Sequence, residues 1–99
     1  MKLNYALSKL SLQDIDGIYK YAKANWSSAQ ADKYYEIILS EINNICINPE
    51  LGESTSDVID NHKKIKVKFH FIVYELSDQT IYVDRILHQK MDLENILDL

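Results

Sequence analysis

Leu3, Tyr5 and Leu7 alternate with Lys2, Asn4, Ala6 and Ser8. That period of two predicts a short strand with one buried face. The period changes at Ser11, after which Leu12, Ile15, Tyr19 and Ala22 recur at helical spacing with Ile18 on the edge of the stripe. Ser11 and Asp14 have the form of a capping box, and Leu10 and Ile15 flank it as a hydrophobic staple would, so a first helix is predicted from Ser11. Gly17 inside that helix costs about 1 kcal/mol relative to Ala and points to close approach by another helix. Asn25-Trp26-Ser27 interrupts the pattern, and Ser27 with Gln30 repeats the capping signal. The second helix is predicted to run to about Cys46. Ala31, Tyr35, Ile38, Ile42 and Ile45 form its inner stripe, widened by Tyr34, Ile37 and Leu39. So short a connection predicts an antiparallel helical hairpin with Trp26 plugging its corner.

Asn48-Pro49-Glu50-Leu51-Gly52 ends the second helix, because proline cannot continue it and biases Asn48 away from helical angles. The polar, acidic stretch from Gly52 to Asn61 reads as a loop with a little extended structure around Val58 and Ile59. From Lys63 the period is two again. Ile65, Val67, Phe69, Phe71 and Val73 share one face, and Lys64, Lys66, Lys68 and His70 the other. At Ile72 and Tyr74 the second face also turns apolar, which reads as a central, doubly covered strand or a turn into one. Ser77-Asp78-Gln79-Thr80 is turn chemistry leading to the run Ile81 to His88, hence a hairpin. Asp92 caps a short final helix, with Met91 and Ile96 as a staple and Leu93 and Leu97 on its apolar side. The order defines an α+β fold: an N-terminal strand, an antiparallel helical hairpin on a small, mostly antiparallel sheet, and a short C-terminal helix. Residues 1–99 are read as a single domain.

Composition narrows the function. A hydrophobic share of 46% with 26% charged residues excludes a disordered chain. The net charge of −4 argues against a general nucleic-acid binder. The charge is uneven, however: Lys63, Lys64, Lys66 and Lys68 sit with His62 and His70 in a stretch without an acid. That row is a solvated sheet face or a protected edge, or else an electropositive stripe for an acidic or phosphate-bearing partner. Arg85, the sole arginine, lies within reach of the same patch in a hairpin. Cys46, the sole cysteine, excludes an internal disulfide and reads as a small core residue. No stretch has the length of a signal peptide's apolar core or a membrane span, so a cytoplasmic protein is expected. There is no phosphate loop, HExxH, CxxC or nucleophile elbow. The spacing of His62, His70 and His88 fits no common zinc signature, so neither metal nor cofactor is expected. His70 reads as a hydrogen-bonded structural residue, and His88 stays open between structure and chemistry.

Several fragments taken in order carry a resemblance: Tyr5-Ala6-Leu7-Ser8, Asp14-Ile15-Asp16-Gly17-Ile18-Tyr19-Lys20-Tyr21, the Trp26 corner with Gln30-Ala31, Asn48-Pro49-Glu50-Leu51-Gly52, and Phe69-His70-Phe71-Ile72-Val73-Tyr74. Most specific is Arg85-Ile86-Leu87-His88 followed by Met91-Asp92. Together they resemble the ParE branch of the RelE/ParE toxin superfamily, the toxin half of bacterial type II toxin–antitoxin pairs. The resemblance implies a cytoplasmic, growth-inhibiting toxin that binds and poisons DNA gyrase. It also implies a hetero-oligomer with a cognate ParD-like antitoxin, no sequence-specific nucleic-acid binding and no membrane association. Carried over to this chain, the target would meet Lys64, Lys66, Lys68, Arg85, His88 and Met91, and the antitoxin would meet Tyr19, Tyr35 and Ile38. The reading is of a binding inhibitor with no catalytic residues. The alternatives are a ribosome-dependent messenger-RNA endonuclease of the RelE type, with Lys66, Lys68, Arg85 and His88 as the working groups, or a member with lost or different toxicity. The chain departs from the family's pattern in carrying lysines over Lys63 to Lys66 and Glu75 after Tyr74, where arginines are usual, and the two cations are not equivalent in bidentate contacts.

Overall fold

The computed structural model describes residues 2–55 and 61–90. Strand β1 (Asn4–Leu7) is followed by helices α1 (Lys9–Asn25) and α2 (Ser28–Ile47), a 3-10 turn (Pro49–Leu51) and strands β2 (Glu53–Ser54), β3 (Lys63–Val67), β4 (His70–Ser77) and β5 (Thr80–His88). The five strands form one sheet in the order β1-β5-β4-β3-β2. β1 runs parallel to β5, and the other pairs are antiparallel. Both helices pack on one face of the sheet, closing a core of Ile15, Tyr34, Ile38, Ile42, Ile45, Cys46, Val67, Ile72, Tyr74, Ile81, Val83 and Ile86. Cys46 is fully buried there, and burial pushes its thiol pKa up, so it packs as a small core residue. The expected final helix around Met91 and Asp92, and the extended structure at Val58 and Ile59, lie outside the described residues.

The α1 start differs from the capping-box reading. The cap is Ser8, whose Oγ accepts from the Ser11 N–H at 2.9 Å, while the Ser11 hydroxyl donates back to the Ser8 carbonyl at 2.9 Å. Ser8 wins because its hydroxyl also donates to the Asp84 carbonyl at 2.8 Å, fastening the strand-to-helix turn onto β5. α2 starts as predicted, with the Ser27 Oγ accepting from the Gln30 N–H at 3.0 Å. Its inner tyrosine is Tyr34, at 6% exposure, rather than Tyr35, at 40%. Either fits the helical spacing, but the Tyr34 hydroxyl finds the Phe69 N–H at 3.2 Å and the His70 ring at 2.6 Å.

The apolar run from Lys63 to Tyr74 is two strands, not one. Lys68 takes a left-handed conformation (φ 56°), and Lys68-Phe69 form the tip of a two-residue hairpin. Such a turn pairs odd positions with even ones. Ile65 lies opposite Ile72 on the helix side, whereas Phe71 and Val73 lie opposite Lys66 and Lys64. The grouping of Phe71 and Val73 with Ile65 and Val67 is therefore corrected. The Asp78-Gln79 turn behaves as read, with both residues at positive φ (51° and 61°) as a twisted two-residue hairpin needs. A β-bulge interrupts the β4–β5 pairing: Val73 lies opposite Arg85 and Tyr74 opposite Val83, leaving Asp84 as the extra residue.

Candidate functional site

β1 ends at Leu7, so β5 beyond Val83 keeps β4 on one side and has no strand neighbour on the other. α1 takes over that edge. The Asp14 carboxylate accepts from the Ile86 backbone N–H at 2.9 Å and, bidentately, from Arg85 Nε and an Arg85 terminal nitrogen at 2.8 and 3.0 Å. Arg85 is 20% exposed and Asp14 15%, and the carboxylate raises the Arg85 pKa.

Where α1 leaves the sheet a cavity of about 620 Å³ opens toward the β3–β4 turn. Gly17 lines it with nothing within 4 Å of where its Cβ would be, so this glycine borders open space instead of permitting the close helix contact expected for it. Trp26, Tyr21 and Phe69 rim the cavity, and all three are substantially exposed. Trp26 stands edge-on to Tyr34 and Tyr21, with ring centroids 6.1 and 6.4 Å away. It is half exposed, so it forms the cavity rim more than it plugs the hairpin corner.

Deeper in the cavity lie His70 and His88, their rings edge-on at 5.2 Å. His70 Nδ1 lies 2.6 Å from the Tyr34 hydroxyl. Burial, then the neighbouring His88, push the His70 pKa down to about 4 against a smaller opposing pull from Asp14, so the ring is neutral at neutral pH. His88 Nδ1 accepts from the Lys90 N–H at 3.1 Å, which leaves its proton on Nε2 in the neutral form.

The predicted target residues do not converge. Lys64 and Lys66 lie on the sheet face away from the helices, with Lys64 Nζ 4.9 Å from the Phe71 ring centroid. Lys68 sits at the hairpin tip and lines a second, smaller cavity with Trp26, Gln30, Lys33 and Phe69. Arg85 is held by Asp14 and is no free cation, His88 faces the large cavity, and Met91 lies outside the described residues. Among the predicted antitoxin residues, Tyr35 is exposed, and the Tyr19 hydroxyl donates to Asp32 at 2.5 Å, bridging the two helices. Ile38 is corrected: it is fully buried in the core and offers a partner no surface.

Sequence reading missed the aromatic rim, since Phe69 joins Tyr21 and Trp26 at the end of α1 only where the β3–β4 turn folds back onto it. It also missed His62, Glu75 and Asp84, which meet on the sheet. Among the described residues no helix is long and apolar enough to cross a membrane.

This architecture, a helical hairpin on one face of a five-stranded sheet with a parallel edge strand, recurs in solved structures. One described as "Chromosomal ParDE TA system from P. aeruginosa" matches with a TM-score of 0.76 at 12% identity, covering 88% of this chain and 96% of that one. "The structure of YoeB dimer from Staphylococcus aureus" matches with a TM-score of 0.63 at 21% identity, covering 89% and 98%. At those identities the likeness is one of α+β fold. The sequence goes further: residues 5–93 match the family described as "ParE toxin of type II toxin-antitoxin system, parDE", and the chain belongs to that family. Toxin ParE1 of Mycobacterium tuberculosis (strain ATCC 25618 / H37Rv) is 26% identical over 98 residues, covering 98% of this chain and all of that protein. Toxin ParE1 of Caulobacter vibrioides is 25% identical over 88 residues, covering 89% and 91%.

Proposed function

We propose that this chain inhibits DNA gyrase by binding it and is neutralised by a ParD-like antitoxin. Membership of the ParE family supports the reading, and the relative described as a ParDE system supports a ParD-like partner. The observation that favours binding over catalysis is the separation of charge from proton chemistry. Cleaving RNA requires cations on the phosphate beside an acid and a base. Here His70 and His88 share the apolar cavity, Arg85 is neutralised by Asp14, and Lys64 and Lys66 lie on the opposite face of the sheet. In this proposal the lysine face and Lys68, with His88 at the cavity, meet the target. The outer surface of the helical hairpin around Tyr19 and Tyr35 takes the antitoxin.

The test is a gyrase supercoiling and cleavage assay with the purified chain, titrated with and without its antitoxin. Stoichiometric inhibition with trapped cleaved DNA, relieved by the antitoxin, is expected. No effect at a large excess of folded chain overturns the proposal.

The second reading, ribosome-dependent cleavage of messenger RNA, draws on one feature: two neighbouring histidines backed by the Tyr34 hydroxyl in a cavity wide enough for a nucleotide base. It predicts turnover, with sub-stoichiometric chain producing RNA fragments on translating ribosomes.

A further inference from the structure

Three chemistry-bearing side chains outside the sites above meet across three consecutive strands. His62 immediately precedes β3, Glu75 lies on β4 and Asp84 on β5. His62 Nε2 is 2.6 Å from Asp84 Oδ2 and 3.0 Å from Glu75 Oε2, and one donor atom from each residue lies within 4.8 Å of the others. The grouping depends on the fold. The β-bulge makes Asp84 the extra residue of β5 and re-aims its side chain. The His62 carbonyl accepts from both the Thr55 N–H and the Thr55 hydroxyl, at 3.0 and 2.9 Å, which fixes where the ring enters.

We propose that His62, Glu75 and Asp84 form a binding site for a divalent transition-metal ion of the zinc class. Two features of this geometry carry it. First, one imidazole nitrogen holds a single hydrogen, yet two carboxylate oxygens lie within 3.0 Å of it. A proton satisfies that arrangement poorly, and a cation with several coordination positions satisfies it fully. Second, carboxylate oxygens of Glu75 and Asp84 lie within 4.8 Å of each other as well as of the imidazole. Two adjacent, partly buried carboxylates repel unless positive charge stands between them. One imidazole and two carboxylates match the donor preference of Zn²⁺, Co²⁺ or Mn²⁺, whereas Ca²⁺ and Mg²⁺ prefer all-oxygen shells. Metal–ligand bonds of about 2.0–2.2 Å need the imidazole–carboxylate contacts to open by less than about 1 Å. The two carboxylates, 34% and 33% exposed at Glu75 and Asp84, have room for that movement. The same exposure leaves remaining coordination positions to water. An ion there would tie the start of β3 to the two central strands. The proposal does not depend on gyrase being the target.

Zn²⁺ titrated into the metal-stripped full chain by calorimetry is the test. We expect saturable 1:1 binding with a dissociation constant in the micromolar range, and at least tenfold weaker binding in both His62→Ala and Asp84→Asn. Mg²⁺ at the same concentrations should give no saturation. Absence of saturable Zn²⁺ binding up to millimolar concentration overturns the site, as does binding that survives both substitutions unchanged. Should either variant fail to fold, long-range ¹H–¹⁵N spectra of the unaltered chain decide the point. Zn²⁺ should then shift the ring resonances of His62 and leave those of His70 and His88. Shifts confined to the latter pair overturn the proposal.

Discussion

Asp14 does more for this fold than its place on a helix suggests. It ends the sheet edge that β1 leaves open by accepting from the Ile86 N–H, and it neutralises Arg85. Removing it leaves a partly buried guanidinium and a backbone donor without their acceptor. Asp14→Ala should therefore cost about 2–4 kcal/mol in urea denaturation, and Asp14→Asn less, because the amide oxygen still accepts. Arg85→Ala should cost less in the Asp14→Ala background than alone, and strict additivity would show that the pair is not coupled. A loss of toxicity in Arg85→Ala must accordingly be read beside its stability. His70 sets a pH dependence of its own. Unfolded, its ring binds a proton near pH 6.5, and folded only near pH 4. Between those values the unfolded chain holds more protons, so the contribution is complete above about pH 6.5 and is lost as pH falls toward 4. Allowing for partial solvent screening, the loss should be about 2 kcal/mol between pH 7 and 4.5, and His70→Gln should flatten the slope.

At the scale of elements, the end of α2 is locked to the sheet through one hydroxyl. Tyr74 on β4 is 1% exposed, and its Oη donates to the Pro49 carbonyl at 2.8 Å and accepts from the Gly52 N–H at 2.9 Å. Tyr74→Phe should cost about 1–2 kcal/mol, since it strands both backbone groups. Gly52 has an ordinary extended φ of −78°, so its freedom is not conformational but steric. A Cβ there would stand 2.6 Å from the Tyr74 hydroxyl and 2.9 Å from the Lys64 carbonyl. Gly52→Ala should destabilise by about 1–3 kcal/mol. Tyr74→Phe should rescue it only in part, because the Lys64 backbone remains in the way. Thermal melts of the two single variants and the double variant check this. The same elements show what was legible beforehand. The Ser27 cap, the Asn48-Pro49 stop and the Asp78-Gln79 turn are local, and local chemistry announces them. The Ser8 cap and the Asp84 bulge were missed because each is decided by a partner farther along the chain, the Asp84 carbonyl and the Val73–Arg85 register, and the Lys68-Phe69 hairpin because neither residue is a usual turn former.

Across the whole molecule, the expected site residues were legible by type but not by place. Lys64, Lys66, Arg85 and His88 fall on neighbouring stretches of one sheet, yet the two-residue hairpin sends Lys64 and Lys66 to the face opposite His88, and Asp14 removes Arg85 from the count of available cations. The positive surface open to a target is thus the lysine face and the hairpin tip, while the exposed Tyr35 lies on the helical hairpin. Surfaces this distinct should separate genetically. With gyrase as the proposed target, charge reversal at Lys64, Lys66 and Lys68 should weaken inhibition at least tenfold, because several like charges in one row act together on encounter and hold. Reversing Lys64 and Lys66 alone should change antitoxin affinity by less than about threefold, since those two charges lie on the sheet face away from the helices. Tyr35→Ala should do the reverse, removing an aromatic side chain from the proposed antitoxin surface while leaving supercoiling inhibition intact. The pair of measurements is a supercoiling titration and an antitoxin titration by calorimetry on each variant. If the lysine variant leaves inhibition unchanged, the row is a solvated face of the sheet. The target contact then moves to the aromatic rim of Tyr21, Trp26 and Phe69, where Trp26→Ala should abolish inhibition and the charge variants should not.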